Sequence, residues 1–414
     1  MAATTRTVIE AALKEGWTQD NLEAQFLKSD KILEKIGTKD PDQLIGEYAL
    51  TGIHTGRSGG FTMVPSTGSS STNAADGQKV AQAKWNLRRA FNAIEIDTAA
   101  VKNAQNRQQA VVNLVDFEVE NKVSDTRKHL VRQIVTDGSG FITSLKDNGS
   151  SSTTLKLAIT GERGLGIEAT RQGWLAKGQK IDIGTTEDED NLNSSGFTIE
   201  SVTYSETEPK ITINEAKDTE EDGKFFISIQ NSRSGETSYS MNGFRNMAST
   251  SSELGGVSPS TEATWKAAFG EDKSEAAITR QLVVEGRRKV RQFGTNPDWA
   301  WTSLKQVEAL ENETYPQVRF AGTSDQDLGD GEHVMVGNLR VQGHEDVPDG
   351  DFTYTNLGHV FLIRDGKPTW ITQEYNGNIL MPQANSTFLY GSLEWFIELG
   401  TNRRNSLGQY RNLA

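Results

Sequence analysis

The chain has 414 residues, 43 Lys and Arg against 56 Asp and Glu, a formal net charge of −13 and no cysteine. Without cysteine there is no disulfide framework, thiolate metal site, iron–sulfur cluster or Cys nucleophile, and five His leave little for a His-rich metal site. The acidic balance argues against a sequence-blind grip on nucleic acid, no apolar run reaches the roughly 18–20 residues of a membrane span, and the N-terminus lacks a secretory signal, which points to the cytosol.

Residues 6–14 and 19–36 read as helices. Thr18 can cap the second, and Leu22, Phe26, Leu27, Ile32, Leu33 and Ile36 form an apolar stripe too small for a core of its own. Residues 1–51 therefore read as an arm that packs on something else. Between 52 and 78 Gly, Ser and Thr dominate, the composition of an extended two-stranded arm with a flexible tip or of a plain linker; Phe61, Met63 and Val64 are its apolar residues. The longest helical pattern spans 98–135, with Val101, Ala104, Val111, Val115, Val119, Val123, Leu130 and Ile134 near a 3.6-residue period, a rod of about 55 Å. Asp137-Gly-Ser-Gly140 ends it, with Gly138 suited to a left-handed cap.

Five short alternating segments follow, at 155–159, 180–183, 197–202, 210–213 and 224–229, and suggest a small antiparallel barrel or sandwich. The acids concentrate here: residues 182–222 hold thirteen Asp and Glu against Lys210 and Lys217. This reads as a solvated charged rim. Asp188-Glu-Asp190-Asn-Leu192 lacks the third oxygen ligand and the closing Glu of a calcium loop. Helices are expected from Thr261, from Ser274 to Phe293 and from Ser303 to Glu311, around a short buried strand that follows Gly294. Residues 316–400 read mostly as strand, at 333–336, 339–341, 353–354, 359–363 and 387–399, before a basic close at 402–411.

No catalytic constellation emerges. There is no Gly-x-Ser-x-Gly elbow, no His-Glu-x-x-His and no phosphate loop; Gly161-Glu-Arg-Gly164-Leu-Gly166 lacks dinucleotide spacing, and Asp325 to Gly331 fits an ordinary acidic turn. The sequence reads as a non-enzyme with no cofactor and no metal. A competing reading, a β-rich glycan-binding or glycan-active protein, has only Trp299, Trp301 and Trp370 as an aromatic platform. Several parts carry apolar surface that needs a neighbour, the signature of an assembly subunit.

The order of these parts resembles the major capsid protein of tailed bacteriophages, the Hong Kong 97 capsid fold. The resemblance covers about residues 45–414. It rests on the extended loop leading through Trp85 to Asp97 into a long spine helix, the exit Thr136-Asp-Gly-Ser-Gly140, and re-entry at Met241-Asn-Gly-Phe244. It continues with Arg287-Arg-Lys-Val-Arg291 leading through Gly294 to Asp298-Trp-Ala-Trp-Thr-Ser303, and with Gly343 to Gly350 before Asp351 to Leu357, which looks like part of the peripheral-domain sheet. It closes with Thr401-Asn-Arg-Arg-Asn405.

The resemblance implies an α+β fold: 1–51 the N-terminal arm, 52–86 the extended loop, 87–154 the peripheral domain with its spine helix, 155–242 an inserted acidic β-barrel-like domain, 243–335 the axial domain, and 336–414 the peripheral-domain sheet with a return to the axial domain. It implies self-assembly into hexamers and pentamers that enclose double-stranded DNA without reading its sequence, in a virion assembled in the host bacterial cytoplasm, with no membrane. A scaffolding protein, a portal and a decoration protein are the implied partners. Phe61, Met63 and Val64 would lie on the next subunit, the arm would reach an adjacent one, and Arg88, Arg89, Arg403 and Arg404 would form inter-subunit ion pairs. Some relatives crosslink a loop Lys to a neighbour's Asn; the tip 52–78 contains no Lys, so covalent crosslinking is not expected. An encapsulin-like nanocompartment shell is the alternative within the same fold.

Overall fold

In the computed structural model, which describes residues 18–414 except 41–42, 46, 57–60, 65, 68–76, 98–107, 147–151, 160–162, 185–195, 217–224, 235–236, 319–332 and 384–385, two short helices come first. Helix α1 (Gln19–Lys28) starts at Thr18, whose Oγ1 accepts the Asn21 N–H. Helix α2 (Lys31–Lys35) is capped by the Asp30 carboxylate, which accepts the N–H groups of Ile32 and Leu33. That cap splits the single helix expected over 19–36, because an N-cap residue leaves helical dihedrals, and Asp30 is extended at φ −130°. The short strand β1 (Gly37–Lys39) pairs in parallel with residues 361–363.

The arm's apolar stripe is not left for a neighbour. Leu22, Phe26, Ile32, Leu33 and Ile36 are buried in this chain's own core, and the Phe26 ring lies 5.7 Å from that of Trp395. The expectation that the arm packs on an adjacent subunit is thus corrected for residues 18–39, since a stripe already removed from water has nothing further to gain by leaving. The helix expected over 6–14 lies outside the described residues.

Strands β2 (Gln43–Ile45), β3 (Tyr48–Gly56) and β4 (Lys79–Asn86) form an antiparallel sheet. Its β3–β4 ribbon carries the extended loop. Strand β5 (Arg88–Asp97) and helix α3 (Gln108–Val135) follow. At 28 residues the helix is about 42 Å long; the expected start at 98 falls among residues that are not described. It ends as the sequence suggests, with Gly138 at φ +73°.

Strands β6 (Phe141–Ser144), β7 (Thr154–Lys156), β8 (Lys180–Gly184), β9 (Phe197–Thr203), β10 (Lys210–Ile213) and β11 (Phe226–Ile229) make one sheet in the order β6-β11-β8-β9-β10-β7. Its two edges meet: Leu145 bridges Leu157, Lys146 N–H donates to Lys156 O and Ala158 N–H to Ser144 O, both at 2.9 Å. Alternation fills the interior with Ile181, Ile183, Ile199, Ile211, Ile213 and Ile227 around Trp174. Trp174 follows helix α4 (Gly166–Arg171). The sheet takes in β6, which precedes the alternating segments of the sequence. A hairpin of β12 (Arg233–Ser234) and β13 (Thr237–Ser238) leads out to helix α5 (Phe244–Met247).

Two further sheets share the rest of the chain. Strand β14 (Phe269–Ala276), helix α6 (Arg280–Gln292), strand β15 (Trp299–Thr302), helix α7 (Leu304–Val318) and strands β16 (His333–Val336), β17 (Leu339–Gly343) and β18 (Phe352–Thr355) come first. Then follow β19 (Val360–Trp370), helix α8 (Ile371–Asn376), β20 (Met381–Pro382), β21 (Phe388–Thr401) and β22 (Gly408–Leu413). The order β14-β22-β18-β15-β17-β16 makes a six-stranded sheet, and β1-β19-β21-β20, with β5 also on β21, makes a five-stranded one. Helices α1 and α3 cover the five-stranded sheet.

Three expectations fail here. No helix starts at Thr261, and Ser274 lies in β14, which pairs in parallel with β22; the helix starts only where Thr279 Oγ1 accepts the Leu282 N–H. Residues 352–355 join the six-stranded sheet through β15 and β22, not the sheet of β19 and β21. Among the described residues no helix is long and apolar enough to cross a membrane.

Candidate inter-subunit surfaces

The β3–β4 ribbon exposes its apolar residues. Phe61 is 79% exposed, Met63 86%, Val64 45% and, on β4, Val80 64%. At the root of the ribbon, Ala49, Ile53, Ala83 and Trp85 are buried in the main core, so one end is anchored and the other presents oily side chains to water.

The four arginines singled out from sequence have distinct fates. Arg88 and Arg89 sit on β5 where it pairs with β21. Arg89 pairs with Glu394, and Arg88 Nε stands 3.7 Å from Glu398 Oε2. Both contacts are internal to the chain. Arg403 donates from Nε to Asn405 Oδ1 at 3.0 Å and from Nη2 to Phe293 O at 2.8 Å. Arg404 is fully buried. It donates to Met247 O, Ser252 O, Asn246 O and Ser252 Oγ at 2.7–3.0 Å, and burial lowers its pKa to about 10. An arginine that satisfies three backbone carbonyls inside the fold cannot reach a neighbouring subunit, which corrects its assignment as an inter-subunit ion pair.

Glu398 is buried on β21, and Oε1 accepts the N–H of Asn242 at 2.7 Å and of Leu399 at 2.9 Å. Burial, against the pull of those N–H groups and Arg88, pushes its pKa up to about 8. An acid whose folded pKa lies above its unfolded value contributes stability that is present below about pH 4.5 and lost as pH rises through 8. Glu398→Gln keeps an oxygen for both N–H groups and removes the titration. The wild type is expected to lose on the order of a few kcal/mol between pH 5 and 9, and the variant's pH–stability curve over that range to be flatter. Parallel curves from urea melts would refute the assignment.

A junction invisible in the sequence ties three parts together. His344, after β17, places Nε2 3.0 Å from Asp30 Oδ2, while its Nδ1 accepts the Asp346 N–H at 3.1 Å. Asp346 Oδ1 accepts Trp174 Nε1–H, and Asp349 receives Arg171 at 3.3 Å. Asp30, His344 and Asp346 bring one ligand atom each within 4.8 Å of one another. Because Nδ1 is an acceptor, Nε2 carries the proton toward Asp30, so the trio is a satisfied hydrogen-bond chain and offers no lone pair at Nε2 to a metal. The Asp30 contact raises the His344 pKa against the lowering effect of burial.

Nothing in the described residues assembles a catalytic group. A polar cleft of about 740 Å³ is lined by Asp137, Arg163, Arg245, Asp272 and Arg411, but Arg163 pairs with Asp137 at 2.9 Å and Arg245 with Asp351 at 2.6 Å. The aromatic platform fails as well: Trp301 and Trp370 are at most 2% exposed, and Trp299 is stacked on Trp301. Trp301 and Trp370 are core and Trp299 packs half-buried against it, which removes the one feature that favoured a glycan site. The turn 325–331 and the calcium-like run 188–192 lie outside the described residues.

No family model matches the chain, and no curated protein matches it in sequence. Among solved structures it is similar to the capsid asymmetric unit of cyanophage A-1(L), with 10% identity, TM-score 0.48 and 92% of each chain covered. It is similar to the procapsid of satellite phage P4, with 10% identity, TM-score 0.43 and 100% of this chain and 98% of that one covered. It is also similar to the holo-SrpI encapsulin complex from Synechococcus elongatus PCC 7942, with 8% identity, TM-score 0.41 and 92% and 86% covered.

Proposed function

We propose that this chain is the structural subunit of a bacteriophage icosahedral capsid with the Hong Kong 97 fold, self-assembling into hexamers and pentamers that enclose a double-stranded DNA genome. The observation that carries this reading is the ribbon: an anchored two-stranded arm whose Phe61, Met63 and Val64 are exposed on their own chain. Such a surface lowers its free energy by lying on a neighbour. Head-to-tail contacts of this kind close into rings, and a closed shell sums many weak contacts.

The order of parts supports the same reading. The arm at 1–51 and the loop at 52–86 precede the peripheral domain, formed by α3 with the sheet of β5, β19 and β21. The axial domain is the six-stranded sheet with α6 and α7. The closed sheet between α3 and α5 is then an inserted barrel, placed to face outward and meet a decoration protein. A scaffolding protein and a portal complete the partners, with assembly in the host bacterial cytoplasm. An encapsulin-like shell uses the same contacts with protein cargo in place of DNA, and co-purifying enzyme cargo would favour it.

The test is assembly. Negative-stain microscopy of the expressed chain is expected to show rings or shells. The triple variant Phe61→Ser, Met63→Ser, Val64→Ser is expected to reduce particle yield at least about tenfold while its melting temperature stays within about 2 °C, because exposed positions contribute little to the monomer. A wild-type chain that stays monomeric under all conditions would defeat the proposal.

A further inference from the structure

We infer that the outer face of α6 is a contact for the phosphate backbone of double-stranded nucleic acid. Helix α6 buries Val283, Gly286 and Val290, with Gly286 set directly against the Tyr354 ring. At 100° per residue, Arg280, Val284, Arg287, Arg288 and Arg291 share an arc of about 100° away from that contact. Arg280, Arg288 and Arg291 are exposed, and Arg287 is half-buried. Arg403 extends the patch at the helix C-terminus, where its Nη2 donates to Phe293 O.

Among the described residues Arg287, Arg288, Arg291 and Arg403 form no ion pair. Arg287 Nη2 donates to Asn296 Oδ1 at 3.3 Å, and Arg403 binds Asn405 Oδ1 and a carbonyl. All of these acceptors are neutral. The helix's only acid, Glu285, lies outside the arc and is held by Lys289 at 3.0 Å, which is also bonded to Glu271.

Two physical points select the partner. Protein–protein interfaces, where arginine is also common, centre on buried apolar and aromatic side chains, whereas this arc has Val284 as its one apolar side chain. A row of arginine forks along about 17 Å of helix suits a repeating array of phosphates, which each guanidinium can bind in bidentate fashion. The net charge of −13 does not oppose this, because phosphate contact depends on the local face. The inference rests on the shell reading for the presence of an enclosed duplex, and it deepens that reading by giving the duplex a place to touch.

The test is fluorescence anisotropy of a 20-base-pair duplex of arbitrary sequence with the full, unassembled chain. Four phosphate contacts predict sequence-independent binding that weakens about fifty-fold between 50 and 150 mM salt. Arg288→Glu with Arg291→Glu is expected to weaken binding at 50 mM salt at least tenfold and to halve the salt slope, with an unchanged melting curve. Unchanged affinity in that variant, or no binding by the wild type at 50 mM salt, would overturn the inference. Wild-type particles that form normally without duplex binding would overturn it while leaving the shell reading intact. If the wild type binds no duplex and the variant loses particles, the face is a contact between copies and the inference again falls. Duplex binding without any particles would sink the shell reading alone.

Discussion

Gly243→Ala is expected to abolish soluble, folded protein or to cost about 3–5 kcal/mol, the far end of the range for single substitutions. A Cβ at this position would stand 2.0 Å from Thr136 O and 2.5 Å from Gln133 O. Both are backbone atoms at the end of α3, so no side chain can swing aside. Backbone conformation is not the reason, since φ is −122°. The reason is the close approach of the 241–244 crossover to the helix end, where Arg245 N–H donates to Thr136 O and Met241 N–H to Gln133 Oε1. Gly37→Ala is the control: nothing lies within 4 Å of its Cβ position, and a change below about 1 kcal/mol is expected. A urea midpoint for Gly243→Ala equal to that of the control would refute the argument.

Arg404→Ala is expected to destabilise by about 4 kcal/mol, because it leaves the Met247, Asn246 and Ser252 carbonyls short of a donor and opens a cavity. Arg404→Lys should restore little, since one ammonium cannot span acceptors that a planar fork reaches together. Arg403→Ala, adjacent in sequence, should cost about 1 kcal/mol or less, since its charge rests on neutral, partly solvated acceptors. The comparison is read from the melting temperatures of the three variants. A loss at Arg403 as large as that at Arg404 would contradict the geometry.

That pair also shows what a sequence discloses. Arg403 and Arg404 are chemically identical neighbours, and only the three carbonyls brought in from residues 246–252 distinguish a buried staple from a half-exposed cation. Strands with clean alternation, such as Lys180 to Ile183 and Lys210 to Ile213, were legible because one face is buried and the period is two. Strand β14 was not: Glu271, Lys273 and Glu275 give it a polar profile, and its pairing partner lies at the far end of the chain. The cap at Asp30 was hidden because its neighbours keep helical periodicity on both sides. The His344 junction combines residues from three distant segments, so no spacing could announce it. The exposed ribbon residues, in contrast, were legible from composition, because nothing near Phe61, Met63 and Val64 in sequence could cover them.

The closed sheet has one more property. Its incoming and outgoing ends lie side by side: a Cβ on Gly140 would lie 3.1 Å from the hydroxyls of both Ser238 and Ser240, and Arg233 donates to Ser139 O. The segment between them is therefore a loop whose ends already touch, so little closure entropy is at stake when it is exchanged. Residues 140–240 form a cassette that a short Gly-Ser bridge, or a foreign domain with adjacent termini, could replace. The graft would leave three carboxylates each short of a partner: Asp346, Asp349 and Asp137 would lose Trp174, Arg171 and Arg163, so Asn at those three positions would belong to the same design.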